Sequence, residues 1–471
     1  MGHVFVIDDY LVVGSEVHLR YRFDPSGPHS IDSEGDAQPD GPPVVDGPLN
    51  ANEIVEFDEV IDFGAVLTES PEVDSALRVL LLVAGTSYYK SIAPTAISTP
   101  GLSPAERALV LGMYDGGLRE FAYRNDLRVP LPVEIIERED GPIPPEVQPN
   151  NDDVDSDPDA LASGVLIPVG GGKDSALVAD LIPDGVLMSV NPTGAHQHLA
   201  DALGRPLVRV TRILDPKLRE IVAAGARNGH VPVTAINSAI AVALAAAEGL
   251  GHVAMGLERS ASEPTVVVDG VEVNHQYSKS AEGESLLFNA FGPSGVNYFS
   301  LLRPLSELAI GAAVAKRGLA SEIVSCNRAF TIWSENDASR TQRACGDCAK
   351  CLFTSLMLAP FLKPEQIREQ FGRDLLDEEA HVDPVRDLWS DEKPFDCVGE
   401  RHETAAALVM LADDPIWSDQ IVPNALAGEA RSVLAEVGAS PETFLRIGST
   451  SEMAPRFAAL IESLGLPQAA Y

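Results

Sequence analysis

The sequence predicts an α/β protein: a parallel sheet with helices on both faces, preceded by a smaller α+β unit and followed by a helical region. Three observations carry that expectation. From residue 165 onward, short apolar runs alternate with helix-spaced segments, the pattern of a sheet covered on both sides. One of those runs leads into PVGGGKDS (168–175), where an apolar strand gives way to a helix through three consecutive glycines. A breaker-rich acidic segment, REDGPIPPEVQPNNDDVDSDPDALASG, separates this part from what precedes it.

Taken in order, HVFVIDDYLVVGSEVHLRYRF reads as two strands around a turn at Gly14-Ser15. The stretch from about 24 to 50 is rich in Gly, Pro and Asp and reads as a flexible loop inserted in a small sheet. Strand pairing resumes near IVEFDEVIDF; DSALRVLLLVAG and LSPAERALVLGMYDGGLREFAYR have helical spacing. These elements fill an N-terminal unit over 1–137, with 138–164 as linker. In the unit assigned to 165–400, VLIPV, GVLMSV, PLVRVT and HVAMGL are strands, and SALVADLI and NSAIAVALAAAEGL are helices. The remainder, 401–471, offers the helical segments HETAAALVMLA and APRFAALIESLG.

Composition narrows the function. The 471 residues leave room for two or three packed units, and 45% are hydrophobic, enough for a substantial core. No apolar run reaches the roughly 18–20 residues that span a bilayer. MGHVFVIDDYLVV carries acids where a secretory signal carries bases, so a cytoplasmic protein without a membrane partner is expected. The net charge of −36, from 70 acidic and 34 basic residues, repels phosphate backbones, and no basic segment with interleaved aromatics is present. Nucleic acid is therefore not expected as a partner; a small anionic substrate in a locally positive pocket remains open. Solubility alone also accounts for the acidity.

The glycines explain themselves as an anion cradle. Gly170, Gly171 and Gly172 let the backbone approach a phosphate without Cβ clashes, and the helix that follows points its free N–H groups and dipole at it. Lys173 supplies a full positive charge, Ser175 a hydroxyl, and Asp174 either anchors Mg²⁺ or shapes the loop. The spacing fits neither GxxxxGK[ST] nor GxGxxG. It resembles the PP-loop of the ATP pyrophosphatase superfamily, usually SGGxDS, with Gly170 in place of the serine. That resemblance implies an adenine nucleotide alpha hydrolase-like fold and cleavage of ATP between its α and β phosphates, with ATP and Mg²⁺ as cofactors.

Three of the five cysteines, Cys345, Cys348 and Cys351, form CxxCxxC, a spacing that suits metal binding. A tetrahedral structural Zn²⁺ needs a fourth ligand, and Cys326 is the best candidate. Free thiols in a reducing compartment are the alternative. The arrangement resembles the zinc knuckle of queuosine-pathway PP-loop synthases.

Other segments bear on the acceptor. In NHQYSKS, an extended chain would project His275, Tyr277 and Lys279 from one face, suited to binding an anion or moving a proton, or merely solvated. Glu258 and Arg259 follow HVAM, at the strand end where open α/β sheets bind ligands; an ordinary surface ion pair would look the same.

Together, GTSYYK, GLREFAYRN, IPVGGGKDS, VPVTAINS, GLERSAS, VNHQYSKS, YFSLLRPLSELAI, CGDCAKCLF and PFDCVG, in this order from about residue 75 to 400, resemble the MurL family. The resemblance implies ATP-dependent epimerisation of the terminal L-glutamate of UDP-N-acetylmuramoyl-L-alanyl-L-glutamate, for peptidoglycan precursors. Adenylating the α-carboxylate removes its charge and acidifies the α-hydrogen; a base then removes that proton, reprotonation on the opposite face inverts the centre, and hydrolysis releases AMP. His275, Lys279 and Cys397 are candidate bases. Cys397 rests on analogy with the thiol pair of cofactor-independent glutamate racemases, against an inert buried cysteine. Arg259 or Arg303 is a candidate holder of the diphosphate or carboxylates. Alternatives are another PP-loop adenylating enzyme, amide-forming or base-modifying, and a nucleotide-binding regulator without catalysis.

Overall fold

A computed structural model describes residues 3–25, 53–138, 164–328, 344–390 and 393–469. The loop expected over 24–50 and the linker expected over 138–164 lie almost wholly outside the described residues.

The chain is mixed α/β. Its N-terminal strands β1 (Val4–Val13) and β2 (Glu16–Asp24) pair antiparallel around Gly14, whose φ of +66° meets the turn at no steric cost. The third strand, β3 (Val55–Asp62), continues the meander. Helix α1 (Pro71–Ala84) starts where the Ser70 side chain accepts from the Val73 N–H, and buries a nearly continuous apolar surface. After β4 (Ala96–Thr99), Ser103 and Glu106 form a capping box at the start of α2 (Pro104–Tyr114). The expected long helix then breaks at Asp115–Leu118 and resumes as α3 (Arg119–Arg124). Strand β5 (Glu134–Glu137) closes this part.

Beyond residue 164 come β6 (Val165–Pro168), α4 (Lys173–Leu181), β7 (Val186–Val190), β8 (Leu207–Ile213), α5 (Val233–Ala247) and β9 (His252–Met255). A two-stranded hairpin of β10 (Val266–Val268) and β11 (Val271–Val273) follows, then β12 (Asn297–Ser300), α6 (Glu307–Lys316) and α7 (Ala349–Leu358). The C-terminal part is helical, including Arg401–Asp413, Ile421–Glu436 and Pro455–Glu462.

One ten-stranded sheet, ordered β12-β9-β6-β7-β8-β3-β2-β1-β4-β5, takes strands from both sides of the 138–164 segment. It is mostly parallel, with the antiparallel pairs confined to β8-β3, β3-β2 and β2-β1. The seam between β3 and β8 is locked by Glu59, wholly buried, which takes two hydrogen bonds from Arg212 at 2.7 and 3.2 Å. Alternation along the strands separates two cores. Val165, Ile167 and Ala254 face a core shared with α4, α6, α7 and the C-terminal helices, whereas Leu166, Val253 and Met255 face one shared with α1 and α5. The ends of β6 and β9, both parallel and central, therefore open beside one another.

Candidate active site

At the end of β6 the chain turns through Gly170–Gly172 into α4. Gly171 has φ +73°, and its carbonyl accepts from the Val324 N–H at 2.8 Å. The Gly170 N–H donates to Ser175 Oγ at 3.1 Å, closing the loop on its own helix. Gly256, just past β9, is glycine for a packing reason: a Cβ there would lie 3.0 Å from the Asp174 carbonyl carbon. The strand end is thereby allowed against the first turn of α4. Gly170 differs from both, because no atom lies within 4 Å of where its Cβ would be. Gly170→Ser should therefore leave thermal unfolding unchanged, whereas Gly171→Ala should lose about 1–2 kcal/mol through the left-handed backbone. Equal midpoints for the two variants would sink this reading.

Lys173 is buried beneath the loop among three carboxylates from three elements: Asp174 in α4, Glu258 after β9, and Glu307 at the start of α6. Their oxygens lie within 4.8 Å of one another. Lys173 Nζ stands 2.5 Å from Asp174 Oδ1 and also pairs with Glu307. Burial alone would lower the ammonium, but Asp174, Glu307 and Glu258 hold it above its ordinary value. Burial pushes the Glu307 carboxyl up; Lys173 pulls it down, and Asp174 and Glu258 push it up again. Glu307 Oε2 is met by the Lys173 ammonium, and the three carboxylates, Glu258 and Glu307 buried and Asp174 half-buried, converge on one point. A hard divalent cation such as Mg²⁺ fits this all-oxygen set.

The segment 274–280 is not a strand, contrary to the extended reading. Asn274 Oδ1 accepts from the Gln276 N–H at 2.7 Å, making an Asx turn, and Tyr277–Lys279 form a 3₁₀ turn that ends on Ser280. The three side chains consequently part company. Tyr277 donates to Glu282 at 3.0 Å and packs against Gly112 and Gly116, away from its neighbours. His275 and Lys279 converge on Cys397: Lys279 Nζ lies 3.4 Å from its Sγ, and the charge of the His275 ring acts on it as well. On the far side of the ring, His275 Nδ1 meets Glu120 Oε2 at 2.5 Å. The His230 ring lies tilted against that of His275, 4.5 Å between centroids, and burial and His275 push it down to about 4.

Electrostatics follow from this packing. Burial alone would raise the Cys397 thiol, but Lys279, Lys350 and His275 outweigh it and hold the sulfur as thiolate. Burial alone would lower the His275 ring, but Cys397 and Glu120 push it up to about 9. Lys279 is likewise held charged against burial by Cys397, Glu258 and Asp174. That lysine links the carboxylates under the glycine loop to the thiolate. Because the His275 value is raised in the folded chain, its contribution to stability is complete below its ordinary 6.5 and is lost as pH rises through about 9. The denaturant midpoints of the native chain and His275→Gln should thus differ most at pH 6 and converge above pH 9. A gap that widens with pH would contradict the assignment.

Cys326, Cys345, Cys348 and Cys351 come together as expected, their sulfurs within 4.8 Å. Cys345 and Cys351 are 3.8 Å apart and Cys348 and Cys351 3.4 Å, against the about 3.8 Å that four Zn–S bonds of about 2.3 Å set in a tetrahedron. The Cys345 N–H turns to Cys326 Sγ and the Asp347 N–H to Cys345 Sγ, leaving the sulfur set fit for Zn²⁺. The knuckle also touches both halves of the site. Val324 holds Gly171, Ser325 Oγ would lie 3.2 Å from a Cβ on Gly172, and Asn327 donates to Asp396, the neighbour of Cys397.

The two arginines are placed differently. Arg259 is exposed beside Glu400 and Glu403. Arg303 forks onto Glu284 at 2.6 and 2.8 Å and donates to the carbonyls of Glu258 and Lys279, so it braces the site walls. Glu120, His230, Lys350 and Glu307 also belong to the site; GLREFAYRN, CGDCAKCLF and YFSLLRPLSELAI contain three of them, but no local pattern marks them out.

Comparison with known proteins matches residues 44–301 to the MurL N-terminal domain and 322–440 to the MurL C-terminal domain. Similar chains include three named UDP-N-acetyl-alpha-D-muramoyl-L-alanyl-L-glutamate epimerase. That of a Micromonospora species is 42% identical over 80% of this chain and 81% of its own, and that of Salinispora tropica 41% over 80% and 79%. That of Xanthomonas oryzae pv. oryzae is 36% identical over 74% and 77%. No solved structure matches.

Proposed function

The chain belongs to the MurL family, and on that footing we propose that it is an isomerase that epimerises the terminal L-glutamate of UDP-N-acetylmuramoyl-L-alanyl-L-glutamate through an acyl-adenylate. The observation that carries the reading is Lys279, whose ammonium stands 3.4 Å from the Cys397 sulfur and whose backbone is tied to that of Glu258 through Arg303. The reading thereby places carboxylate activation and α-proton transfer within reach of one side chain.

The glycine loop, in a PP-loop role, binds the β and γ phosphates of ATP through its amides and Lys173. Asp174, Glu258 and Glu307 would hold Mg²⁺, which would supply charge neutralisation for the departing pyrophosphate. The glutamate α-carboxylate attacks the α-phosphorus, the bond to the β-phosphate oxygen breaks, and pyrophosphate leaves. Cys397 Sγ then takes the α-proton from the activated ester, with the Lys279 ammonium beside it stabilising the charge that develops. A proton from solvent is delivered to the opposite face while Cys397 gives its proton back to solvent, and water cleaves the adenylate to D-glutamate-terminated product and AMP. Zn²⁺, held by the four cysteines, is structural and takes part in no step. The product feeds peptidoglycan precursor synthesis.

The test is one incubation of the chain with Mg²⁺-ATP and the UDP-muramoyl dipeptide in D₂O. D-glutamate carrying α-deuterium, formed only with ATP and in step with AMP and pyrophosphate, is the expected result. AMP release without inversion would point to an amide-forming or base-modifying acceptor, and ATP binding without cleavage to a regulator.

A further inference from the structure

A buried carboxylate from the N-terminal part of the chain stands behind the proton-transfer residues. Glu120 lies on α3, is 5% exposed, and reaches residue 275 across 155 positions of sequence. Its Oε2 is 2.5 Å from His275 Nδ1 and 3.6 Å from His230 Nδ1, and its Oε1 is 3.4 Å from Arg124 Nε. With Nδ1 engaged, His275 has only Nε2 to offer Cys397. We propose that Glu120, His275 and Cys397 form a carboxylate–imidazole–thiol triad in which Glu120 is a positioning residue, orienting His275 so that the thiol proton resides on the imidazole. This deepens the epimerase reading and rests on it for the identity of the reaction.

The surroundings are built for that arrangement. Three of the segments named from sequence contribute: GLREFAYRN supplies Glu120 and Asn125, VNHQYSKS supplies His275, and PFDCVG supplies Cys397. Asn125 Nδ2 donates to the Asn228 carbonyl at 3.2 Å, and Lys90 Nζ donates to Asn228 Oδ1 at 2.6 Å and to the Gly229 carbonyl at 2.9 Å. These bonds fix the turn carrying His230, whose ring lies against His275 and limits its rotation. The His275 N–H is tied to Thr265 Oγ1 at 3.2 Å, and Gln276 Nε2 donates to the Val398 carbonyl, joining the histidine turn to the cysteine loop. The ionisable groups facing the pair are Glu120, His230, Lys279, Lys350 and Asp396, with Lys90 behind His230. Of these, Glu120 alone is an anion in contact with the outer nitrogen of His275. Balance is simple: the thiol S–H bond breaks, an N–H bond forms on His275, and the sulfur keeps the electron pair that later takes the substrate α-proton.

The test is the pH dependence of Cys397 alkylation by iodoacetamide in the full, zinc-loaded chain, with Cys397→Ser giving the background from the other cysteines. In Glu120→Gln the apparent midpoint should move up by about one unit, so that alkylation at pH 6 slows about 5–10-fold. Glu120→Asp keeps the charge but withdraws it by one methylene, and should shift less in the same direction. It also carries the test should Glu120→Gln not fold. With substrate in D₂O, α-deuterium incorporated per AMP released should fall in both variants, more in the glutamine. Profiles superimposed on the native one in both variants would overturn the triad, since a carboxylate that merely packs would not move thiol reactivity. The alkylation readout needs no substrate. A shifted profile in a chain that inverts no glutamate would uphold the triad and reject the epimerase reading.

Discussion

Cys397→Ser should reduce α-deuterium incorporation per AMP released by about 10²–10⁴-fold, the usual contribution of a positioned acid–base group. Serine keeps the size of the side chain but ionises far above the working pH, so Lys279 and His275 would flank a neutral hydroxyl instead of a thiolate. The glycine loop and its carboxylates lie on other elements, so adenylate formation should outlast inversion. Chiral analysis of the glutamate with AMP measured in the same tube reads both. Undiminished inversion in the serine variant would remove Cys397 from the proton path and leave Lys279 or His275 to carry it.

Loss of the metal should have a different signature. Stripping zinc with a strong chelator, or substituting Cys351→Ser, should abolish AMP formation and α-exchange together, leaving their ratio unchanged in whatever activity remains. The reason is geometric: the segment that supplies Cys326 also holds Gly171 through Val324 and, through Asn327 and Asp396, the loop of Cys397. Metal analysis should find about one zinc per chain, absent from the variant, and thermal unfolding should move down in both cases. A chain purified without zinc that is as stable and active as any other would dismiss the knuckle as a metal site.

Much of this was legible in the residues. The apolar runs around VLIPV and HVAM, the glycines before Lys173 and the CxxCxxC spacing report local chemistry, and each stands where its pattern placed it. Cys326 was expected beside the other three because few cysteines remained, and its sulfur does join theirs. The turn at 274–280 was misread because alternation of polar residues resembles a strand, while the deciding contacts are the Asn274 side chain on its own backbone and Ser280 at the exit. Glu120 and Glu307 were hidden for another reason. Each earns its role from a partner more than a hundred positions away, and no periodicity records that pairing.

The seam between β3 and β8 has a consequence for how the chain comes to be folded. As it leaves the ribosome, the meander of β1, β2 and β3 is complete well before residues 211–213, which pair with Asp62, Ile61 and Val60. Until then the outer edge of β3 is unpaired, the kind of edge that recruits other nascent chains. Glu56, Asp58, Glu59 and Asp62 crowd that strand with negative charge, and two copies meeting edge to edge would repel. The charge also selects the proper partner: when β8 arrives, it brings Arg212 to Glu59. The acidic strand thus guards that edge until β8 covers it and Arg212 meets Glu59.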